Sequence, residues 1–232
     1  MNTSTQDGTQ LSPADKRALL TRLLQNGSGE RAPIPLTLNQ EGLWFLDRFS
    51  PGSPVYNVSF ALRMPSAVAP ETLWRALNEI IGRHEILRTT FPATESRPIQ
   101  IVHPTLTIPV PLHDLRSLSE QGREAEMLRV AAEESRRPFD LATGPLIRAT
   151  LLRLADADHA LLVTMHHIIT DGWSTDILLR ELASIYEAFH AGRPSPLPPL
   201  PIQYADFARW RRQRFEAGDF SSQLAYWRRR LE

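Results

Sequence analysis

Two neighbouring apolar runs, and the helical pattern that follows them, constrain the fold of this chain more than any other feature. Leu146 to Leu154 and Ala160 to Met165 have the length and composition of buried strands, and the segment 156–158 between them is typical of a turn. Beyond Gly172, apolar residues recur every three or four positions, which predicts an amphipathic helix that ends at Gly192. We therefore predict a β-hairpin that leads directly into a long helix.

Shorter patterns on either side of this unit predict further elements. Apolar and polar residues alternate from Val58 to Met64, which is typical of a strand with one face on a core. Short strands are predicted at Leu87 to Phe91 and Ile99 to Val102, and helices at 39–46, after Pro70, and at 119–136, 203–216 and 221–231. Strands and helices interleave without a strict βαβ rhythm. This predicts the α/β class, as an α+β two-layer sandwich in which helices pack on an open mixed β-sheet.

The composition excludes several classes of function. Lys+Arg and Asp+Glu number 26 each, so no excess positive charge would attract nucleic acid or an anionic membrane. The absence of cysteine excludes disulfides, thiolate zinc sites and cysteine nucleophiles. No apolar run approaches the roughly 20 residues that span a bilayer, and the first residues do not resemble a secretory signal. We expect a cytoplasmic protein that binds neither nucleic acid nor membrane.

A group of polar residues lies at the end of the second strand of the hairpin. The strand from Ala160 ends at His166-His167, and Asp171-Gly172 precede the helix. Because side chains alternate along a strand, the two histidines are expected to point in opposite directions, so only one can face a given cleft. Its imidazole could accept a proton from an attacking amine or hydroxyl and return it. Asp171 could instead have a purely structural role, as the N-cap of the helix.

Two other kinds of site fit the residue types less well. Two histidines and an aspartate could supply three ligands of a catalytic zinc, but adjacent strand histidines diverge, so we predict no metal site. A Ser-His-Asp triad would need a marked nucleophile, but the chain has no G-x-S-x-G turn and nothing singles out Ser174. Acid–base chemistry is the hypothesis that we favour.

The run from His166 to Gly172 has the pattern HHxxxDG, which resembles the signature of condensation domains of nonribosomal peptide synthetases. Its wider superfamily resembles chloramphenicol acetyltransferase. Four segments resemble the family's motifs in the family's order: Leu38 to Leu46, Arg83 to Phe91, Met165 to Ser174 and Ile202 to Trp210. They cover nearly the whole chain, and the resemblance implies a chloramphenicol acetyltransferase-like lobe.

The resemblance implies a role for the residues of the site. His167 would deprotonate or orient the α-amine of an acceptor as it attacks a thioester carbonyl, and His166 would be largely structural. Asp171 would be a buried acid that pairs with an arginine and braces the loop. Arg83 and Arg88 are the candidates for that arginine.

The resemblance implies a role for one further residue, Gly172, and the chain departs from the family's pattern at two positions. Gly172 would let the backbone approach the reacting carbonyl, because glycine lacks a Cβ. Asn39 and Gly42 replace the small and basic residues that are commoner in the opening motif. These two departures indicate a subtype with an unusual donor.

The resemblance also implies partners and domain boundaries. Donor and acceptor peptidyl carrier proteins would supply phosphopantetheine, so the chain would need no metal or diffusible cofactor of its own. Residues 35–232 would form the N-terminal lobe of a condensation domain without its C-terminal lobe, with an adenylation domain among its partners. Residues 1–10 are expected to be a disordered tail, and residues 11–34 a helix and connector. Such a fragment would fold but be a poor catalyst alone.

Two alternative functions stay open at this point. A free-standing CoA-dependent acyltransferase of the chloramphenicol acetyltransferase type would suit the length of 232 residues and would form a trimer. The second and fourth motifs count against it. A non-catalytic lobe that only docks a carrier protein is the other alternative, and the intact His167 and Asp171 count against that one.

Overall fold

A computed structural model of the chain describes residues 33–94, 97–218 and 220–232. The predicted tail of residues 1–10 lies outside the described residues, as does the predicted segment 11–34 except for its last two residues. Every element described below belongs to the unit Pro33–Glu232. Within the described ranges, no helix is both long enough and apolar enough to cross a membrane.

The helices and strands follow one another along nearly all of this unit. The helices are α1 (Leu38–Phe49), α2 (Pro70–Arg83), α3 (Glu120–Arg136), α4 (Gly172–His190), α5 (Tyr204–Glu216) and α6 (Ser221–Leu231), with a 3-10 turn at Glu85–Arg88. The strands are β1 (Asn57–Met64), β2 (Thr89–Thr90), β3 (Ala93–Thr94), β4 (Arg97–Pro98), β5 (Ile101–Val102), β6 (Leu112–Asp114), β7 (Ile147–Ala155) and β8 (Asp158–His166).

The predicted hairpin forms the centre of the main sheet. β7 and β8 pair antiparallel, and β1 pairs antiparallel with the other side of β8, so that Asn57 lies opposite His166. β6 adds to β7 in parallel, which gives the strand order β1-β8-β7-β6. The predicted α/β fold with an open mixed sheet is therefore confirmed.

Side-chain alternation along β8 divides the core into two clusters. Leu161, Val163 and Met165 belong to the larger cluster, which also contains the buried faces of α2 and α4. Ala160 and Leu162 belong to a smaller cluster with Val130 of α3. Every residue of β8 after Asp158 is buried, as the continuous apolar run predicts for a central strand covered on both faces.

Helix α4 begins and packs largely as its pattern predicts. Leu178, Leu182 and Ile185 are buried against the main core at helical spacing. The helix ends just before Gly192, whose φ of 69° is readily adopted only by a residue without a Cβ. Trp173 departs from the predicted stripe, since it is 78% exposed in the first turn.

The two short strands predicted around residues 87–102 are smaller than expected. Only Thr89–Thr90 and Ile101–Val102 pair with each other. Leu87 donates its N–H to His84 within the 3-10 turn, and Phe91 donates its N–H to Leu141. These hydrogen bonds take the backbone groups that a longer ladder would use.

Candidate active site

The two adjacent histidines at the end of β8 diverge as predicted. His166 is 2% exposed, and its Nδ1 accepts a hydrogen bond from the backbone N–H of Ile168 at 3.1 Å. The edge of its ring meets the ring of Phe139, with 6.3 Å between the centroids. Burial, with a smaller contribution from the charge of His167, lowers the pKa of His166 from 6.5 to about 4. His166 is therefore a neutral part of the interior at neutral pH.

His167 has the opposite environment and is exposed. Its backbone N–H donates to the carbonyl of Tyr56 at 2.8 Å, which fixes the end of β8 against the residue before β1. Its Nδ1 lies 2.8 Å from the carbonyl oxygen of Thr170. Because a carbonyl oxygen can only accept, Nδ1 carries the proton of this bond, and a neutral ring keeps its lone pair on Nε2. The loop thus sets the tautomer that a general base needs.

A cleft of about 550 Å³ opens beside His167. Its walls come from α1, the loop after β8, the first turns of α4 and the segment around the 3-10 turn. The aliphatic residues that line it are Leu43, Leu46, Ile80, Ile86, Leu87, Ile168, Ile169, Ile177 and Leu178. A volume of this size, with a mainly apolar wall and a few polar groups, is typical of a small-molecule or cofactor site.

Helix α1 is tied to the loop that aims His167. Thr37 is the N-cap of α1, and Gln40 completes a capping box with it. The same Gln40 is 2% exposed, and its Nε2 donates to the carbonyl of Ile168 at 3.2 Å. One buried amide therefore joins the opening motif to the histidine loop, across 128 residues of sequence.

The prediction that Asp171 is a buried acid is wrong. Asp171 is exposed rather than buried, and Oδ1 accepts hydrogen bonds from the backbone N–H and hydroxyl of Ser174, at 2.8 and 2.6 Å. These bonds lower the pKa of the Asp171 carboxyl, with the side-chain bond from Ser174 as the largest cause. Asp171 is the N-cap of α4, the simpler of the two roles considered.

The predicted pairing of Asp171 with Arg83 or Arg88 is wrong for the part of the chain that the structure describes. Arg83 Nε donates to Glu181 Oε2 at 3.1 Å, on the third turn of α4. Arg88 donates to the carbonyl of His103 and lies 3.5 Å from Glu85. Arg83 ends α2, and α2 packs along α4, so the arginine meets a carboxylate ten positions beyond Asp171.

Gly172 begins α4 and is exposed, but it is not among the residues that line the cleft. A Cβ built on it would meet nothing within 4 Å, so the fold does not require a glycine there. The approach of a substrate carbonyl to its backbone stays a prediction.

The geometry also bears on the metal and triad alternatives. His166 and His167 do not converge, and the described residues contain no group of three or more His, Asp or Glu side chains that could hold a metal ion. The hydroxyl of Ser174 donates to Asp171 rather than to a histidine. A Ser-His-Asp relay is therefore not assembled at this position.

The sequence analysis missed His84 and Glu181. His84 lines the cleft together with His167, and its Nε2 lies 2.7 Å from Glu181 Oε2. His84 lies next to Arg83 in the second motif, so its position was visible. Its partner lies 97 residues away in sequence, and no local pattern marks Glu181.

The chain is similar to the condensation domain family and to parts of peptide synthetases. A family model described as the condensation domain matches residues 30–232. Phosphinothricin tripeptide synthetase PhsC of Streptomyces viridochromogenes is 47% identical over 199 residues, which are 86% of this chain and 18% of that protein. Chondramide synthase cmdD of Chondromyces crocatus is 44% identical over 198 residues, which are 85% of this chain and 5% of that protein. The chain thus spans less than a fifth of these relatives.

Solved structures resemble the fold. The X-domain from teicoplanin biosynthesis aligns with a TM-score of 0.76 and 32% identity, over 89% of this chain and 45% of that one. The starter condensation domain of rhizomide synthetase RzmA aligns with a TM-score of 0.79 and 22% identity, over 87% of this chain and 48% of that one. The second likeness concerns the fold alone.

Proposed function

Because this chain belongs to the condensation domain family of nonribosomal peptide synthetases, we propose that it joins an acceptor amine to a donor acyl or peptidyl thioester. One observation supports this function above the others. His167 lies in an open cleft with Nδ1 fixed on Thr170, which leaves Nε2 as its basic nitrogen. The supporting residues Asp171 and Gln40 hold the helix start and the loop on either side of it.

In the proposed step, the lone pair of the amine attacks the thioester carbonyl carbon. The C–N bond forms and the C–S bond breaks, while the amine proton passes to His167 Nε2 and from there to the departing sulfur. Holding both reactants in one cleft makes the attack effectively unimolecular, so positioning supplies much of the rate. A variant without the imidazole should therefore keep residual activity.

The proposal includes the partners of the reaction. Phosphopantetheine is supplied by donor and acceptor peptidyl carrier proteins, and no metal or diffusible cofactor takes part. Residues 35–232 act as the N-terminal lobe, next to a C-terminal lobe and an adenylation domain, in the cytoplasm. His166, Asp171 and Gly172 support the site without exchanging protons with the substrates.

Docking without catalysis is a second candidate function. The observation that favours it is the likeness to the teicoplanin X-domain, which has been solved in complex with OxyB at 32% identity to this chain. A free-standing CoA-dependent acyltransferase is a third candidate. It would show itself as a trimer that acylates a small molecule from CoA.

The test joins this chain to the C-terminal lobe of a condensation domain and supplies two loaded carrier proteins. Mass spectrometry follows the dipeptidyl thioester. We expect product from the parent and a fall of about tenfold or more in His167→Ala. His113→Ala, an exposed histidine outside the cleft, serves as the matched control. Equal rates in parent and His167→Ala would contradict the acid–base role, and carrier binding without product would favour docking.

A further inference from the structure

A second histidine in the cleft has no part in the step proposed above. His84 caps the C-terminal end of α2, and its side chain is 21% exposed. Its Nε2 lies 2.7 Å from Glu181 Oε2 on α4. Because an ionised carboxylate only accepts hydrogen bonds, Nε2 carries the proton of this bond.

The carboxylate that holds His84 is itself fixed. Arg83 Nε donates to the same Oε2 at 3.1 Å, and Arg83 Nη1 donates to the carbonyl of Pro198. Gln203 donates to the carbonyl of Arg83 at 3.0 Å and accepts from the N–H of Glu85 at 3.1 Å. The network joins α2, α4 and the residue before α5, and the ring of His84 is bonded to it through Glu181.

The two cleft histidines are held through opposite ring nitrogens. His167 uses Nδ1 to bond Thr170, whereas His84 uses Nε2 to bond Glu181. Among residues 33–94, 97–218 and 220–232, no protein group bonds to the remaining nitrogen of either ring. Such a nitrogen in an open cleft binds water or a ligand.

We propose that His84 is a substrate-positioning residue whose Nδ1 accepts a hydrogen bond from the α-amine of the acceptor, while His167 takes the proton that leaves. The inference rests on the proposed function. A neutral primary amine has two N–H groups and one lone pair, so two acceptors that hold the N–H groups direct the lone pair toward the thioester carbon. No bond forms or breaks at His84.

Two amide variants separate this role from a purely structural one. Glutamine at position 84 places its amide near the former Nε2 and keeps a bond to Glu181, whereas asparagine places its amide near the former Nδ1. The acceptor probe is leucyl N-acetylcysteamine thioester, with a loaded donor carrier. We expect His84→Gln to raise the acceptor KM about fivefold, the effect of one lost hydrogen bond, and to leave the donor KM unchanged. His84→Asn should stay within about twofold of the parent, since it keeps that bond.

The opposite ranking would overturn the inference. If glutamine restores the parental acceptor KM and asparagine does not, His84 serves only to hold Glu181. Calorimetric binding of the acceptor probe is measured in parallel and does not depend on turnover. A parent that binds the probe but forms no product would refute the proposed function, while the binding of the two variants would still decide the role of His84. A parent that does not bind the probe would refute both.

Glu181→Gln tests the same network from the other side. The matched control is Glu134→Gln on α3. Glu134 is also mostly buried, pairs with Arg148 at 3.0 Å and lies outside the cleft. Both substitutions are expected to lower Tm. Only Glu181→Gln is expected to raise the acceptor KM, and equal KM values for the two variants would contradict the positioning role of His84.

Discussion

Asp171 Oδ1 accepts both the backbone N–H and the hydroxyl of Ser174, three residues further along the chain. The carboxylate therefore satisfies a free N–H of the first turn of α4, and its negative charge lies at the positive end of the helix dipole. Asp171 stabilises the start of the helix, and within the part of the chain that the structure describes neither Arg83 nor Arg88 pairs with it.

Asp171→Ala is expected to lower the free energy of unfolding by about 1 kcal/mol, because the N-cap is lost. Asp171→Asn keeps an oxygen at the cap, so its effect at neutral pH should be smaller. Urea denaturation at pH 7 measures both. Asp176→Ala replaces an exposed carboxylate further along α4 and is the control. If Asp176→Ala lowered the free energy of unfolding as much as Asp171→Ala, the N-cap role of Asp171 would be contradicted.

The lowered pKa of Asp171 gives this prediction a pH dependence. A carboxyl whose pKa is lower in the folded state adds stability above its unfolded pKa and loses it as pH falls through the folded value. The stability difference between the parent and Asp171→Asn should be constant from about pH 7 to pH 5 and shrink below about pH 4. A stability difference between the two proteins that grows as the pH falls would contradict the lowered pKa of Asp171.

His166 is expected to make the fold less stable in mild acid. Its folded pKa of about 4 lies below the ordinary 6.5, so the unfolded chain binds a proton that the folded chain excludes. Stability should be greatest above about pH 6.5 and fall by up to about 3 kcal/mol as pH drops to about 4. His166→Asn keeps an acceptor for Ile168 but does not titrate. The smaller side chain of this variant leaves a cavity, which lowers its free energy of unfolding at every pH. The readout is therefore the slope of the free energy of unfolding against pH, which we expect to be flatter than in the parent. A slope equal to that of the parent would exclude His166 as the cause.

Gly42 offers a direct way to narrow the cleft. It lies on α1 in the cleft wall, and a Cβ built on it meets nothing within 4 Å. Gly42→Leu should therefore slow turnover of bulky substrates about tenfold more than that of small ones, by steric exclusion. Gly82→Leu adds the same side chain to a helix outside the cleft, also with no neighbour within 4 Å. Equal selectivity in the two variants would show that position 42 does not set the size limit.

The parts of the fold that could be predicted are those with a local pattern. The hairpin, the stripe of α4 and the divergence of His166 and His167 all follow from side-chain periodicity within one element. Periodicity also predicts burial, as Leu161 and Leu182 show. These features depend on neighbours a few residues apart, which a sequence displays directly.

The parts that could not be predicted depend on contacts between distant segments. The partner of Arg83 is decided by how α2 lies along α4, which brings Glu181 rather than Asp171 within reach. His84 becomes a cleft residue through that same packing. Family resemblance offered Arg83 and Arg88 as partners of Asp171, but it could not supply the packing that pairs Arg83 with Glu181 instead.

The pairing of β1 with β8 has a practical consequence for anyone who builds chimaeric synthetases. Asn57 lies opposite His166, and the next residue along, His167, donates its N–H to Tyr56. Adding or deleting one residue within β8 would turn the buried ring of His166 outward and bury the exposed ring of His167, since successive side chains alternate. Segment exchange must therefore preserve the length of these strands, even where it changes their composition.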